Sequence, residues 1–278
     1  MRFRASIFTF TSILTIYAGL LTANSAAATG PAQPDTPGVE SSVVTAPAVP
    51  PRPLVLLAGI NNQKLYASLE SFVCHEEIQR FRETTSSGGA KHVDTVTATV
   101  SLENGAEQYS SILRKGRKLR DLARLEGAWS EGEFGTLLKQ TGQLLTTQSA
   151  ILEREENFDG VRTAVYTFTV SPGESPWDLA VEGQHYLLPF RTRIWVSEAA
   201  GSIVRIERTS TEIPPALHIA EIDWSVTLRP VDLNSRAWLL PATAEYRVVY
   251  CGSGRREWNI VEFSDYHRYG SEVAVRFN

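Results

Sequence analysis

The chain has 278 residues, 42% of them hydrophobic and 21% charged, with a formal net charge of −4. The mild acidity argues against the broad positive surface that a nucleic-acid binder needs. The one basic run (Arg114, Lys115, Arg117, Lys118, Arg120, Arg124) is broken by Asp121 and holds no aromatic residue for base stacking. It reads as a solvated strand or loop face, with contact to phosphates or an anionic head group as the alternative.

Arg2 and Arg4 give a basic start, residues 7–23 are mostly apolar, and Ser25-Ala26-Ala27-Ala28 supplies small residues suited to a signal-peptidase cut. Residues 1–28 are therefore expected to be a signal peptide, cut near Ala26 to Ala28. A retained anchor is the alternative, but the apolar stretch is short and interrupted by polar residues. No cysteine follows it, so the attachment residue of a lipoprotein is missing. Residues 29–53 hold many prolines and few large apolar residues, too few to offset their ordering entropy, and read as a disordered linker. A proline-rich ligand segment is the other reading of that stretch. Residues 54–278 suit a single domain with enough chain to bury a core.

Cys74 and Cys251 are the two cysteines. In an oxidising compartment, two cysteines far apart in sequence are expected to pair. Such a disulfide closes nearly the whole domain and stabilises it by up to about 5 kcal/mol in the chain-entropy model. A small buried hydrophobe is the bland alternative for either cysteine.

In chain order, Leu65, Leu69, Phe72 and Val73 fall on one helix face, with Asn61 or Asn62 to cap its start and Cys74 near its end. His92–Leu102 and Glu107–Leu113 pair about Asn104-Gly105, a dipeptide that accepts the positive φ angles of a tight hairpin. Ser130 and Glu133 form an S-x-x-E capping box ahead of Phe134, Leu137, Leu138 and Leu145, which predicts a second helix. A run of strands follows. Asp159-Gly160 precedes Val161–Val170, where Ala164, Tyr166, Phe168 and Val170 share a face. Arg191–Val196 and Ser202–Thr211 form a hairpin about Ala199–Gly201. In Ile222–Leu228, Ile222, Trp224, Val226 and Leu228 point one way and Asp223, Ser225 and Thr227 the other. Ala237–Tyr250 alternates with Pro241 inside it, which implies an edge, a bulge or a bend. Trp258–Tyr269 is the last strand. Further turns are expected at Ser86–Gly89, Asp232–Asn234 and Gly252–Gly254.

The expected fold is mainly β (α+β): a curved antiparallel sheet forming an incomplete barrel, plugged by two helices. Two helices leave room for an apolar pocket on the concave face. The six tryptophans suit either core or the wall of such a pocket. Tyr166, Phe168, Trp224, Val226 and Leu228 are the candidate lining, with Trp195 and Trp238 added from among the tryptophans.

Motifs for chemistry are lacking. His75, His92, His185, His218 and His267 show no metal-ligand spacing, and His75-Glu76-Glu77 lacks the second histidine of H-E-x-x-H. Glu131/Glu133 and Glu153/Glu155/Glu156 could serve as glycosidase carboxylates only if they faced a cleft. Gly252-Ser253-Gly254 is not G-x-S-x-G. The chain is expected to be neither an enzyme nor a holder of a metal or cofactor.

Arg193, Trp195, Val196, Gly201, Ile203, Arg205, Ile206 and Glu207 fill an R-x-W-V-x(4)-G-x-I-x-R-I-E pattern. With the export signal, the helix before a hairpin and the helical insertion, the chain resembles the periplasmic lipoprotein-carrier (LolA/LolB-like) superfamily. The resemblance implies an incomplete barrel whose cavity holds acyl chains, carrying a lipid or a lipidated protein across an aqueous compartment. No lid arginine of that pattern maps onto a residue of this chain, and the proline-rich lead and the two cysteines are extra. The expected function is thus an exported, monomeric, non-catalytic carrier, periplasmic or extracellular, with transient membrane contact and no nucleic-acid partner. The alternatives are a structural or interaction module with a filled barrel and, third, a hydrolase built from distant residues.

Overall fold

A computed structural model describes residues 3–6, 54–85 and 88–269. The expected linker, most of the expected signal peptide, and Ser86 and Ser87 of one expected turn lie outside these residues. Among them, no helix is long and apolar enough to cross a membrane.

The elements, in chain order, are β1 (Phe3–Ser6), α1 (Leu54–Leu69), β2 (Phe72–Glu83), β3 (Lys91–Glu103), β4 (Ala106–Arg114), β5 (Arg117–Lys118) and α2 (Thr136–Leu144). They continue with β6 (Ile151–Phe158), β7 (Val161–Val170), β8 (Asp178–Val181), β9 (Gln184–Leu187), β10 (Phe190–Ser197), β11 (Ile203–Ser210), β12 (Ile219–Leu233), β13 (Arg236–Tyr250) and β14 (Arg256–Arg268). Eleven strands make one antiparallel sheet in the order β5-β4-β3-β2-β14-β13-β12-β11-β10-β7-β6. β5 and β6 are its edges, so the sheet does not close, and the expected incomplete barrel with two helices is what forms. A second sheet has the order β1-β8-β9, and Leu179 and Val181 of β8 join the core of the large one.

The hairpins form where positive φ is available. Asn104 and Gly105 sit at φ 52° and 74°, Asp159 and Gly160 at 51° and 81°, the geometry that matches strand twist. Pro241 stands opposite Leu228 just past a register shift in the β12–β13 ladder. The bulge accommodates a residue that cannot donate to a ladder.

Two rows of side chains, read across the ladders, explain the core. One row is apolar: Tyr166, Ile194, Ile206, Val226, Ala244, Val261, Ile78 and Val96. All but the half-buried Tyr166 are buried. Two residues along each strand the row turns polar: Thr192, Arg208, Trp224, Tyr246, Asn259, Arg80 and Asp94. Every one of these is also buried.

Three expectations need correction. Helix α1 ends at Leu69, and Phe72, Val73 and Cys74 begin β2. In β2, burial alternates with period two through Phe72, Cys74, Glu76, Ile78 and Arg80, a strand pattern that the leucines before it masked. Asn61 and Asn62 therefore lie inside α1 rather than capping it. The second helix begins at Thr136, not after Ser130. Ser130 does hydrogen-bond Glu133, but the helix start is capped from another strand. Glu107 of β4 accepts the N–H groups of Gly135 and Thr136, each at 2.8 Å.

The third correction is the disulfide. Both cysteines are free, Cys74 buried and Cys251 exposed. Cys74 faces the end of β14 between Ser264 and His267, whereas Cys251 follows Tyr250, whose N–H bonds Arg255 just before the other end of that strand, and itself bonds the His218 carbonyl. About ten residues of strand at ~3.3 Å each separate the two positions. A disulfide needs Cα atoms within about 7 Å.

Candidate ligand-binding face

The inner face of the sheet is covered by α1, α2 and the segment 119–135, and polar side chains rather than apolar contact alone hold this cover down. At one end, the Arg80 guanidinium donates to the carbonyl of Glu126. It also sits 3.4 Å from Asp94, which Arg114 holds from outside at 2.7 Å. Glu257 accepts the N–H of Ala128 at 2.7 Å, and Asn259 donates to the Ala128 carbonyl at 3.1 Å. In the middle, Trp224 Nε1 donates to Glu133 at 2.9 Å. Further along, Arg208 donates to Gln140 at 2.6 Å and to Thr141 at 3.3 Å, both on α2. Helix α1 is tied to α2 by Asn62, which donates to the Leu138 carbonyl at 2.6 Å. Asn61 ties it to the β10–β11 turn, donating to the Gly201 carbonyl at 2.9 Å.

Burial perturbs the ionisable groups where the cover meets the sheet. Glu133 is pushed up to about 7 by burial, with hydrogen bonds from Ser130 and Trp224 opposing the shift and the Glu107 charge adding to it. Glu76, on β2, is raised well above the carboxylate range by burial and then by Glu133 and Glu107. Arg208 is pushed down to about 9 by burial alone. Its charge is met by the face of Phe190, 4.6 Å from the ring centroid.

The candidate lining residues separate into three groups. Phe168, Trp224, Val226 and Leu228 are buried on the inner face, as periodicity implies, and Tyr166 is half-buried at the end of the same row. Trp238 packs on the inner cluster, with its ring 5.2 Å from Phe72 and the guanidinium groups of Arg236 and Arg268 4.0 and 4.8 Å from its centroid. Trp195 is a correction. It lies on the outer face in a separate cluster with Val165, Val204 and Phe158, and its Nε1 donates to Glu156. Its neighbour Ile194 takes the inner position, and alternation sends Trp195 out. The Cys74–Cys251 pair, corrected above, contributes no cross-link to this face.

Sequence reading missed Arg80, Arg208 and Asn259, and offered Glu133 only as half of a capping box or as a glycosidase carboxylate. A charged residue two positions after Ile78 or Ile206 was the available signal, since strand parity alone puts it on the inner face. The outer face carries a polar groove of about 340 Å³ lined by Arg193, Glu207, Asp223, Glu245 and Arg247 among others. Its charges are largely paired, as Arg247 with Glu221 and Asp223 and Arg193 with Glu153. Among the described residues, no group of His, Cys, Asp or Glu is placed to hold a metal ion.

No family model matches the chain, and no curated protein matches it. Solved structures share parts of its arrangement. A DUF1329 family protein from Desulfovibrio piger is 10% identical, covering 80% of this chain and 93% of its own, at a TM-score of 0.39. A domain described as an outer membrane lipoprotein-sorting protein, from Vibrio parahaemolyticus, gives 10% identity, the same coverage and 0.40. The Mycobacterium tuberculosis lipoprotein LppX is 12% identical, covering 78% of this chain and 97% of its own, at 0.25. At these values the likeness is distant and assigns this chain neither ligand nor activity.

Proposed function

We propose that the protein is an exported, non-catalytic carrier or binding protein for an apolar ligand such as a lipid or the acyl chains of a lipidated protein. The inner face of the open sheet is the binding surface, and α1, α2 and the segment 119–135 act as its removable cover. One observation carries this reading. The cover meets the inner sheet face through discrete polar side chains set beside its apolar row, which can exchange partners with water when it lifts. The apolar row beneath would then be open to an acyl chain, each buried methylene contributing about 0.8 kcal/mol. Trp238, with Arg236 and Arg268 over its ring, suits the edge of such an opening, where transient contact with a membrane would occur.

Native mass spectrometry of the gently purified chain tests the proposal, followed by extraction and refilling with a neutral lipid. Retained or re-acquired lipid supports it. A chain that neither carries nor takes up lipid, at any temperature below unfolding, favours instead the filled-barrel interaction module, for which the buried state of Trp224, Val226 and Leu228 is the supporting observation.

A further inference from the structure

We infer that the ligand bears an oxyanion, a carboxylate or a phosphate on its acyl chain, and that Arg208 is its receptor on the inner face. The inference rests on the carrier reading above and adds the chemical class of the ligand. Arg208 is fully buried in the middle of the sheet, flanked in register by Thr192 on β10 and Trp224 on β12. A guanidinium carries five N–H donors and one charge. Here only neutral acceptors engage it, Gln140 and Thr141, and its Nε has no hydrogen-bond partner among the described residues. The other buried arginine among the described residues is treated differently: Arg80 lies beside Asp94.

The surroundings repeat the imbalance. Thr192 Oγ1 and Trp177 Nε1 are likewise buried without a hydrogen-bond partner. Trp177 packs on Phe190, with ring centroids 5.6 Å apart, and Phe190 is the ring beneath the Arg208 guanidinium. Arg208 Nε and Trp177 Nε1 can only donate, and the Thr192 hydroxyl can turn its proton to an acceptor that arrives there. A buried charge without a counter-charge is a strong liability for a fold. An oxyanion resolves it, because the planar fork of arginine matches carboxylate and phosphate oxygens bidentately. The two acceptors that occupy the fork now both belong to α2. Lifting the cover thus frees the guanidinium in the same movement that opens the apolar row, and a head group can replace the amide and hydroxyl oxygens.

The test compares matched lipids on the full-length, delipidated chain: oleate against oleyl alcohol, and dioleoylphosphatidylglycerol against dioleoylglycerol. Displacement of a neutral fluorescent probe gives the affinities. The expected result is a preference for the anionic member of at least one pair by about tenfold or more, and which pair shows it identifies carboxylate or phosphate as the source. R208M should bring the anionic lipid down to the level of its neutral partner, the two being compared within the variant so that any loosening of α2 acts on both alike. R208K, which keeps the charge and loses the fork, should retain part of the preference and covers the case in which R208M does not fold. Equal affinity for both members of both pairs in the unmodified protein overturns the inference and leaves the carrier reading standing. Binding of no lipid at all overturns both.

Discussion

Glu133 is a carboxyl group whose ionisation the fold resists, and E133Q measures how strongly. The group is buried, and its folded value of about 7 compares with an ordinary 4.5. Between those two pH values the folded protein holds a proton that the unfolded chain has released, so stability falls as pH rises through the window. At about 1.4 kcal/mol per pH unit, the loss at pH 8 relative to pH 4.5 is roughly 3 kcal/mol. Glutamine keeps the volume and can still accept from Trp224 Nε1, but it never ionises. E133Q should therefore be more stable than the unmodified protein at pH 8 by about 2–3 kcal/mol, and equal or slightly weaker at pH 4.5, where a protonated carboxyl does the same work. Urea unfolding at both pH values, followed by tryptophan fluorescence, reads the difference directly. Glu76 is raised in the same direction and stays in both proteins, so the difference between them isolates Glu133 together with its repulsion of Glu76. If the two proteins differ by the same amount at pH 4.5 and pH 8, the burial argument for Glu133 is refuted.

The free cysteines predict that a thiol reagent titrates one group, Cys251, in the folded protein and two after unfolding, and that reductant leaves the melting temperature unchanged; one disulfide by mass would contradict the strand placement. At Gly201 (φ +60°) an added Cβ would meet Leu57 Cδ2 of α1 at 2.4 Å. G201A should therefore loosen α1, destabilise the protein by roughly 1–3 kcal/mol and raise the uptake of a neutral apolar dye; lower stability with unchanged uptake would mean that α1 is not part of the cover. G142A, whose Cβ would meet Asn62 Nδ2 at 2.8 Å, should act similarly by parting α1 from α2. W195F, on the outer face, should leave lipid affinity unchanged, and a large loss would place the ligand on the wrong side of the sheet.

The strands were legible where one face is dry and the other wet. Ile222–Leu228 could be assigned from its alternation alone, and the Asn-Gly and Asp-Gly hairpins from the backbone freedom they offer. Strand β2 was hidden because leucines at helical spacing run directly into it, and because its inner positions include Glu76 and Arg80, which read as solvent-facing charges. The cap of α2 was illegible for a different reason. Its acceptor, Glu107, lies 28 residues away from Gly135, so no local pattern contains it. In the inner polar row parity assigns each residue to its face, but only the register between strands sets Arg80 beside Asp94 and Arg208 beside Trp224.

The place of β14 in the sheet has a consequence for how the molecule is made. This last strand is not at an edge but lies between β13 and β2, and so joins the early hairpins to the later meander. Until it arrives, the two halves share no backbone ladder across that seam, and contacts of such wide sequence separation form late and slowly. A chain emerging amino-terminus first, as in synthesis, would accordingly stay pliable until β14 was free to pair. Cutting it before Arg256 should leave two unjoined half-sheets, each with a raw edge.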